Sequence, residues 1–206
     1  MVRGAQRFEN VVISSVAHVD APNVVTSADI EAQLSDVRGR LGLAPGMLET
    51  LAGIKERRFW DEGVQPSEVA ARAGELAIQR SRVPREDIGV VINTSVCRDY
   101  IEPSVASFVH HALGLASDAL NFDLGNACLG FLNGMAVVAS MIERGEIDHG
   151  IVVDGESSRF PVESTIKRLQ ASNATSQDLR DQFATLTLGS GSAAMVLSRA
   201  DLSPSS

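Results

Sequence analysis

Two nearly continuous apolar runs, Ile88–Thr94 and Gly150–Val153, stand in the middle of the chain, and between them apolar side chains recur every three or four residues. Runs such as Gly-Val-Val-Ile-Asn and Gly-Ile-Val-Val-Asp suit strands buried on both faces. The spacing of Val105, Phe108, Val109 and Ala112 predicts a helix over Pro103–Leu113, and that of Phe131, Leu132, Met135 and Val138 a second over Leu129–Arg144. With a further strand over Ala119–Leu124, strands and helices alternate. That order predicts an α/β fold with a parallel sheet covered by helices.

The flanking segments extend the pattern. β-Branched Val11–Val19, ended by an Ala-Pro-Asn turn, predicts a strand. Thr26 and Ser27 are suited to cap a helix carrying Ile30, Leu34, Val37 and Leu41 on one side and stopping near Gly42–Pro45. Another helix starts at Pro66, with Val69, Ala73, Leu76 and Ala77 on its stripe, and ends before Pro84. Residues 157–182 lack a clean period and are expected to form a helix and loop over a substrate channel. Phe183–Leu188, the glycine turn Gly189–Ser192 and Ala193–Ser198 read as a closing strand pair, and the last residues, from Asp201, as a frayed tail. There is no internal repeat and no low-complexity segment.

Composition narrows the class. The 206 residues carry 18 Lys and Arg against 26 Asp and Glu, a net charge of −8, which argues against a nucleic-acid or anionic-membrane footprint. The length allows one large domain, or one repeat of a larger pseudo-symmetric fold. Two cysteines without a Cys-x-x-Cys pair or a His/Cys cluster argue against a metal site or a disulfide framework. No apolar run is long enough to span a bilayer, and the N-terminal segment lacks the apolar core of a signal peptide. The reading is a cytoplasmic protein.

Two places carry candidate chemistry. In Asn121–Gly134 a strand passes through Gly125 and Asn126 into a helix beginning at Cys128. A thiol at a helix N-terminus meets unpaired N–H groups that favour its thiolate, the form that attacks a thioester, and Gly130 and Gly134 leave room for backbone or substrate. A buried cysteine that merely fills space is the competing reading, and the one that suits Cys97. In Thr94–Ser104, Glu102 follows a buried strand, where ligands of α/β folds collect. It is either a general base or a charge at the start of a helix. None of the four histidines has a catalytic context, and Gly189–Ser192 lacks the Lys and the helix of a phosphate loop.

Taken together, these stretches resemble the thiolase superfamily, in its ketoacyl-ACP synthase III branch, and within it the thiolases of bacterial long-chain olefin biosynthesis that join two fatty acyl-CoA molecules head to head. Asn126–Met135 is similar to the nucleophile motif, Ser95–Ser104 to the segment with a glutamate, and Gly53–Trp60 to a Gly-Ile-x-x-Arg-Arg signature; Glu143–Ser157 and Thr185–Ser198 also match in order. The resemblance implies the N-terminal half of a five-layer αβαβα fold. It also implies an acyltransferase of the 3-oxoacyl synthase type, with no cofactor beyond the coenzyme A of its thioester substrate. Cys128 would accept an acyl group. Glu102, reaching the other subunit of a homodimer, would take an α-proton from a second acyl-CoA, giving a 2-alkyl-3-ketoacyl product without decarboxylation. A second half, on this or another chain, would supply the His and Asn of the oxyanion hole. Decarboxylative ketoacyl synthase III chemistry and a non-catalytic acyl-binding or scaffolding subunit are the alternatives.

Overall fold

A computed structural model describes residues 7–171 and 173–203. In chain order the elements are β1 (Val11–Asp20), β2 (Asn23–Thr26), α1 (Ser27–Gln33), α2 (Ser35–Leu41), α3 (Met47–Ala52), β3 (Glu56–Phe59), α4 (Pro66–Ser81), β4 (Ile88–Asn93), α5 (Val105–Leu113), β5 (Leu120–Asp123), α6 (Gly130–Glu143), β6 (His149–Glu156), α7 (Arg159–Gln170), α8 (Ser176–Gln182) and β7 (Gly191–Arg199). They divide into two compact units. One takes in the residues up to 19, 64–156 and from 192; the other takes in 20–63 and 157–191.

The first unit is built on a five-stranded sheet of order β1-β7-β6-β4-β5. The pairs β4–β5 and β4–β6 are parallel, in the register Asn93↔Asp123 and Asn93↔Val153. Alternate side chains enter two separate cores, because successive residues of a strand point to opposite faces. Val91, Ile151, Val153, Ala194 and Val196 pack with α4 and α5, whereas Val90, Ile92, Val152, Met195 and Leu197 pack with α6. That two-sided burial explains why β4 and β6 read as continuous apolar runs. Pro66 opens α4, Ser104 caps α5, and Gly114 closes it in a left-handed conformation.

The second unit gathers Ile30, Leu34, Val37, Phe59, Val162, Ile166, Leu169, Leu179 and Leu186 around the antiparallel β2–β3 pair. Thr26 forms a capping box with Asp29, and Thr175 with Asp178.

Several expectations are corrected. The helix from Ser27 is two helices, broken at Leu34. Residues 157–182 hold two helices in place of a helix and loop. Phe183–Leu188 is no strand: it contains a 3-10 turn, Thr185–Thr187, because Phe183 and Leu186 lie three residues apart and point together into the core of the second unit. At the tail, Ala200–Leu202 form another 3-10 turn, with Arg199 paired to Asp201; the tail residues 204–206, and the first six of the N-terminal segment, lie outside the described residues. Among the described residues, no helix is long and apolar enough to cross a membrane.

Candidate active site

Because β4, β5 and β6 run parallel, their carboxyl ends share one edge of the sheet, and each apolar run ends there in polar side chains. Asn93, Thr94 and Ser95 are buried, and the adjoining positions are Asp123, Asp154 and Glu156. Buried polar groups at this depth must be paired. Ser95 Oγ donates to Asn93 Oδ1 (2.7 Å) and accepts from Gly155 N (2.7 Å). Glu156 accepts from the N–H groups of Val96 (2.6 Å) and Cys97 (3.2 Å), which fixes the chain as it leaves β4.

Cys128 stands beyond the end of β5, exposed, in a 3-10 turn over Ala127–Leu129 that leads into α6. The expected helix start at Cys128 is therefore shifted: α6 itself begins at Gly130. Ala127 holds φ at 43°, a left-handed conformation that costs a residue with a Cβ about 1–3 kcal/mol and recurs at functional sites. Asn126 Nδ2 braces the turn by donating to Asn133 Oδ1 (2.5 Å). The two glycines serve packing against strands. A Cβ on Gly130 would lie 3.0 Å from the Thr94 carbonyl oxygen, and one on Gly134 2.9 Å from Val152 Cγ1, so α6 lies directly on the end of β4 and on the middle of β6.

Glu102 is exposed on the loop after β4, the strand beside β5. The fold thus places the two predicted residues beyond adjacent, parallel strands. In the same loop and turn segments and the start of α6, Val96, Tyr100, Leu129 and Leu132 are each more than half exposed, and Ile101 is 87% exposed.

Asp154 was not singled out by its sequence context. Burial raises its carboxyl to about 6, against the opposing pull of the Thr94 hydroxyl, with Glu156 adding to the rise. Thr94 Oγ1 lies 2.8 Å from Asp154 Oδ2 and 3.1 Å from the Val153 carbonyl oxygen. One hydroxyl proton cannot serve both acceptors, whereas protonated Asp154 donates to Thr94 and frees that proton for Val153. A carboxyl raised on folding contributes most stability below its unfolded value of 3.8 and loses it as pH rises through about 6. Asp154→Asn, which mimics the protonated form, is expected to stabilise the protein by about 1–3 kcal/mol at pH 8 and by almost nothing at pH 4. His149, buried against Ser198 Oγ at 2.8 Å, has its proton affinity lowered by burial and acts in the opposite sense, losing its contribution below about pH 6.5. Both proteins carry it, so it cancels in their difference. Denaturant midpoints at the two pH values check the prediction; an equal gap at both would refute it.

The histidines lie elsewhere: His149 opens β6 at its amino end, His18 lies in β1, and His110 and His111 lie in α5, where His110 holds the Ala116 carbonyl at 3.0 Å. In the second unit, Arg57 of the Gly53–Trp60 stretch is buried, with Nη2 donating to Ser27 Oγ (2.9 Å); burial lowers its proton affinity. It is a structural tie within that unit.

No family model matches the chain. A curated relative, the acyl-CoA:acyl-CoA alkyltransferase of Xanthomonas campestris, is 46% identical over 197 residues, 96% of this chain and 58% of the relative. Crystal structures of Xanthomonas campestris OleA superpose on 96% of the chain with a TM-score of 0.92 at 45% identity, covering 60% of that protein. The chain is homologous to these alkyltransferases and to ketoacyl-ACP synthases III, and it has the thiolase-like fold of OleA. A β-ketoacyl-[acyl-carrier-protein] synthase III of Aliarcobacter butzleri is 35% identical over 66% of the chain. The OleA structures include a variant with a glutamate replaced by aspartate, and a cysteine-to-serine variant with lauric acid and lauroyl-CoA bound, TM-score 0.93. This chain spans somewhat over half the length of these OleA relatives.

Proposed function

We propose that the chain carries the nucleophile and the base of a condensation between two fatty acyl-CoA molecules. The observation that carries this reading is the pairing of Cys128 and Glu102 beyond adjacent parallel strands. In OleA the substituted glutamate and cysteine stand 26 positions apart, the same separation as Glu102 and Cys128 here. In the proposed first step the Cys128 thiolate attacks the acyl-CoA carbonyl and coenzyme A leaves as a thiolate. Glu102, acting from the other protomer of a homodimer, removes an α-proton from a second acyl-CoA. The resulting carbanion attacks the Cys128 thioester, releasing the cysteine thiolate and a 2-alkyl-3-ketoacyl-CoA. Coenzyme A enters only as part of the substrates, and a sequence with two cysteines and no Cys-x-x-Cys pair suits a cytoplasmic setting.

The tetrahedral intermediate needs oxyanion donors, which the proposal assigns to a His and an Asn on further polypeptide, in this or a second chain. Exposed Leu129 and Leu132 beside the turn support such a covering, since contiguous apolar surface marks an interface. The assembled enzyme is this chain with the polypeptide that completes its fold. Given one long-chain acyl-CoA alone, it is expected to form the 2-alkyl-3-ketoacyl product and to release coenzyme A without carbon dioxide. Product requiring malonyl-ACP, with carbon dioxide released, would favour decarboxylative ketoacyl synthesis instead. No product with either substrate set would favour an acyl-binding subunit.

A further inference from the structure

One carboxylate ties the Cys128 turn to the Glu102 loop. Asp123 is the last residue of β5, with four residues between it and Cys128, and its side chain is only 7% exposed. Its oxygens turn toward the start of α5. Oδ2 accepts from Val105 N (3.0 Å) and lies 3.5 Å from Arg98 Nη1. Oδ1 accepts from Ala106 N (2.9 Å) and from Asn93 Nδ2 (3.2 Å). Asn93 ends β4, Arg98 lies within the loop, and Val105 opens the helix that follows it. A single side chain therefore clasps both ends of the loop and its middle.

The other foot of the loop is also held. Asp99 accepts from Ser67 N in the first turn of α4 (3.0 Å) and from the Ser67 hydroxyl. Between Asp99 and Ser104 only Tyr100–Pro103 stand out from the surface, and Tyr100 rests against Phe108 with ring centroids 5.9 Å apart. Glu102 thus rides on a short arch with both feet anchored. The backbone beyond Asp123 is fixed to the same strand end: Leu124 N donates to the Asn93 carbonyl (2.8 Å), and a Cβ on Gly130 would touch the Leu124 carbonyl at 3.4 Å. The Cys128 turn and the Glu102 arch are both referred to one point. Reacting groups need placement to within a fraction of an ångström, so that point has a functional consequence.

We propose that Asp123 is a positioning residue that fixes the Glu102 arch on the same strand end as the Cys128 turn, and so sets where Glu102 of one protomer stands when it reaches the site of the other. Its functional meaning rests on the roles given to those two residues above, but its geometry does not. An amide is a poor replacement, because only one of its two ends accepts hydrogen bonds while both helix N–H groups require acceptors. Loss of the cap from Ser104, whose Oγ accepts from Ser107 N (3.3 Å), weakens the same helix start while leaving the clasp intact.

The test is a pulsed dipolar measurement on the full chain carrying Cys97→Ser and Glu102→Cys, with nitroxide labels at positions 102 and 128, diluted into excess unlabelled chain so that only the distance within one protomer is read. With Asp123 in place, one narrow distance peak is expected, and Ser104→Ala should keep it. Asp123→Ala should broaden it or split it, and Asp123→Asn, which keeps the side-chain shape if the alanine variant does not fold, should do the same. An unchanged peak in the Asp123 variant, or equal broadening by Ser104→Ala, would overturn the proposal. The measurement needs no acyl chemistry, so failure of Cys128 to take an acyl group would remove the proposed reaction and leave this result standing.

Discussion

Glu102→Ala in the assembled enzyme is expected to leave the acyl group on Cys128 detectable while lowering condensed product by about 10²–10⁴-fold, the usual cost of a lost general base. The separation follows from the chemistry. Acylation requires a thiolate and a leaving coenzyme A, whereas carbon–carbon bond formation requires removal of an α-proton. Glu102 lies on an exposed arch in front of a buried strand, and the substitution removes no core contact. Single-turnover acylation measured beside product formation separates the steps; equal loss of both would assign Glu102 a structural role. Because Glu102 is proposed to serve the partner's site, Cys128→Ser and Glu102→Ala protomers mixed into hybrid dimers should recover part of the activity. Demonstrated hybrids without recovery would contradict the cross-subunit arrangement.

The alternation of strands and helices from Ile88 to Val153 was legible because two-sided burial leaves continuous apolar runs. Helix stripes such as Val105, Val109 and Ala112 mark the intervening covers. Other features left no such trace. Leu34 breaks a helix without Gly or Pro, since Ile30, Leu34 and Val37 stay buried in the same core on either side of the break. Phe183, Leu186 and Leu188 mimic a strand when read with Thr185 and Thr187, and only the shared burial of Phe183 and Leu186 shows the turn. The short strands β2 and β3 carry too few residues for a period to appear.

The site divides in the same way. As candidates, Cys128 was legible from its strand-turn-helix setting and flanking glycines, and Glu102 from its place after an apolar strand. Asp123 and Asp154 were not, because one acidic residue at the end of a strand has no local signature. Their surroundings come from strand order: Asp123 faces Asn93 because β5 lies beside β4, and Asp154 faces Thr94 because β6 lies on the other side. The recurrence of Asn93, Asp123 and Asp154 at the ends of three successive strands is the signal that was available.

The second large effect concerns Cys128, the exposed cysteine, set in a turn with a left-handed residue before it; Cys97 is half-buried, with its N–H held by Glu156. Sulfur is the only acceptor proposed for the acyl group, and serine is nearly isosteric but a far weaker nucleophile at neutral pH, so Cys128→Ser should abolish the adduct while the fold persists. The decisive measurement is peptide mass analysis after incubation with a long-chain acyl-CoA. The expected result is the acyl mass on the peptide containing Cys128, absent in Cys128→Ser; an adduct found only on Cys97, or labelling unchanged by the substitution, would contradict the assignment.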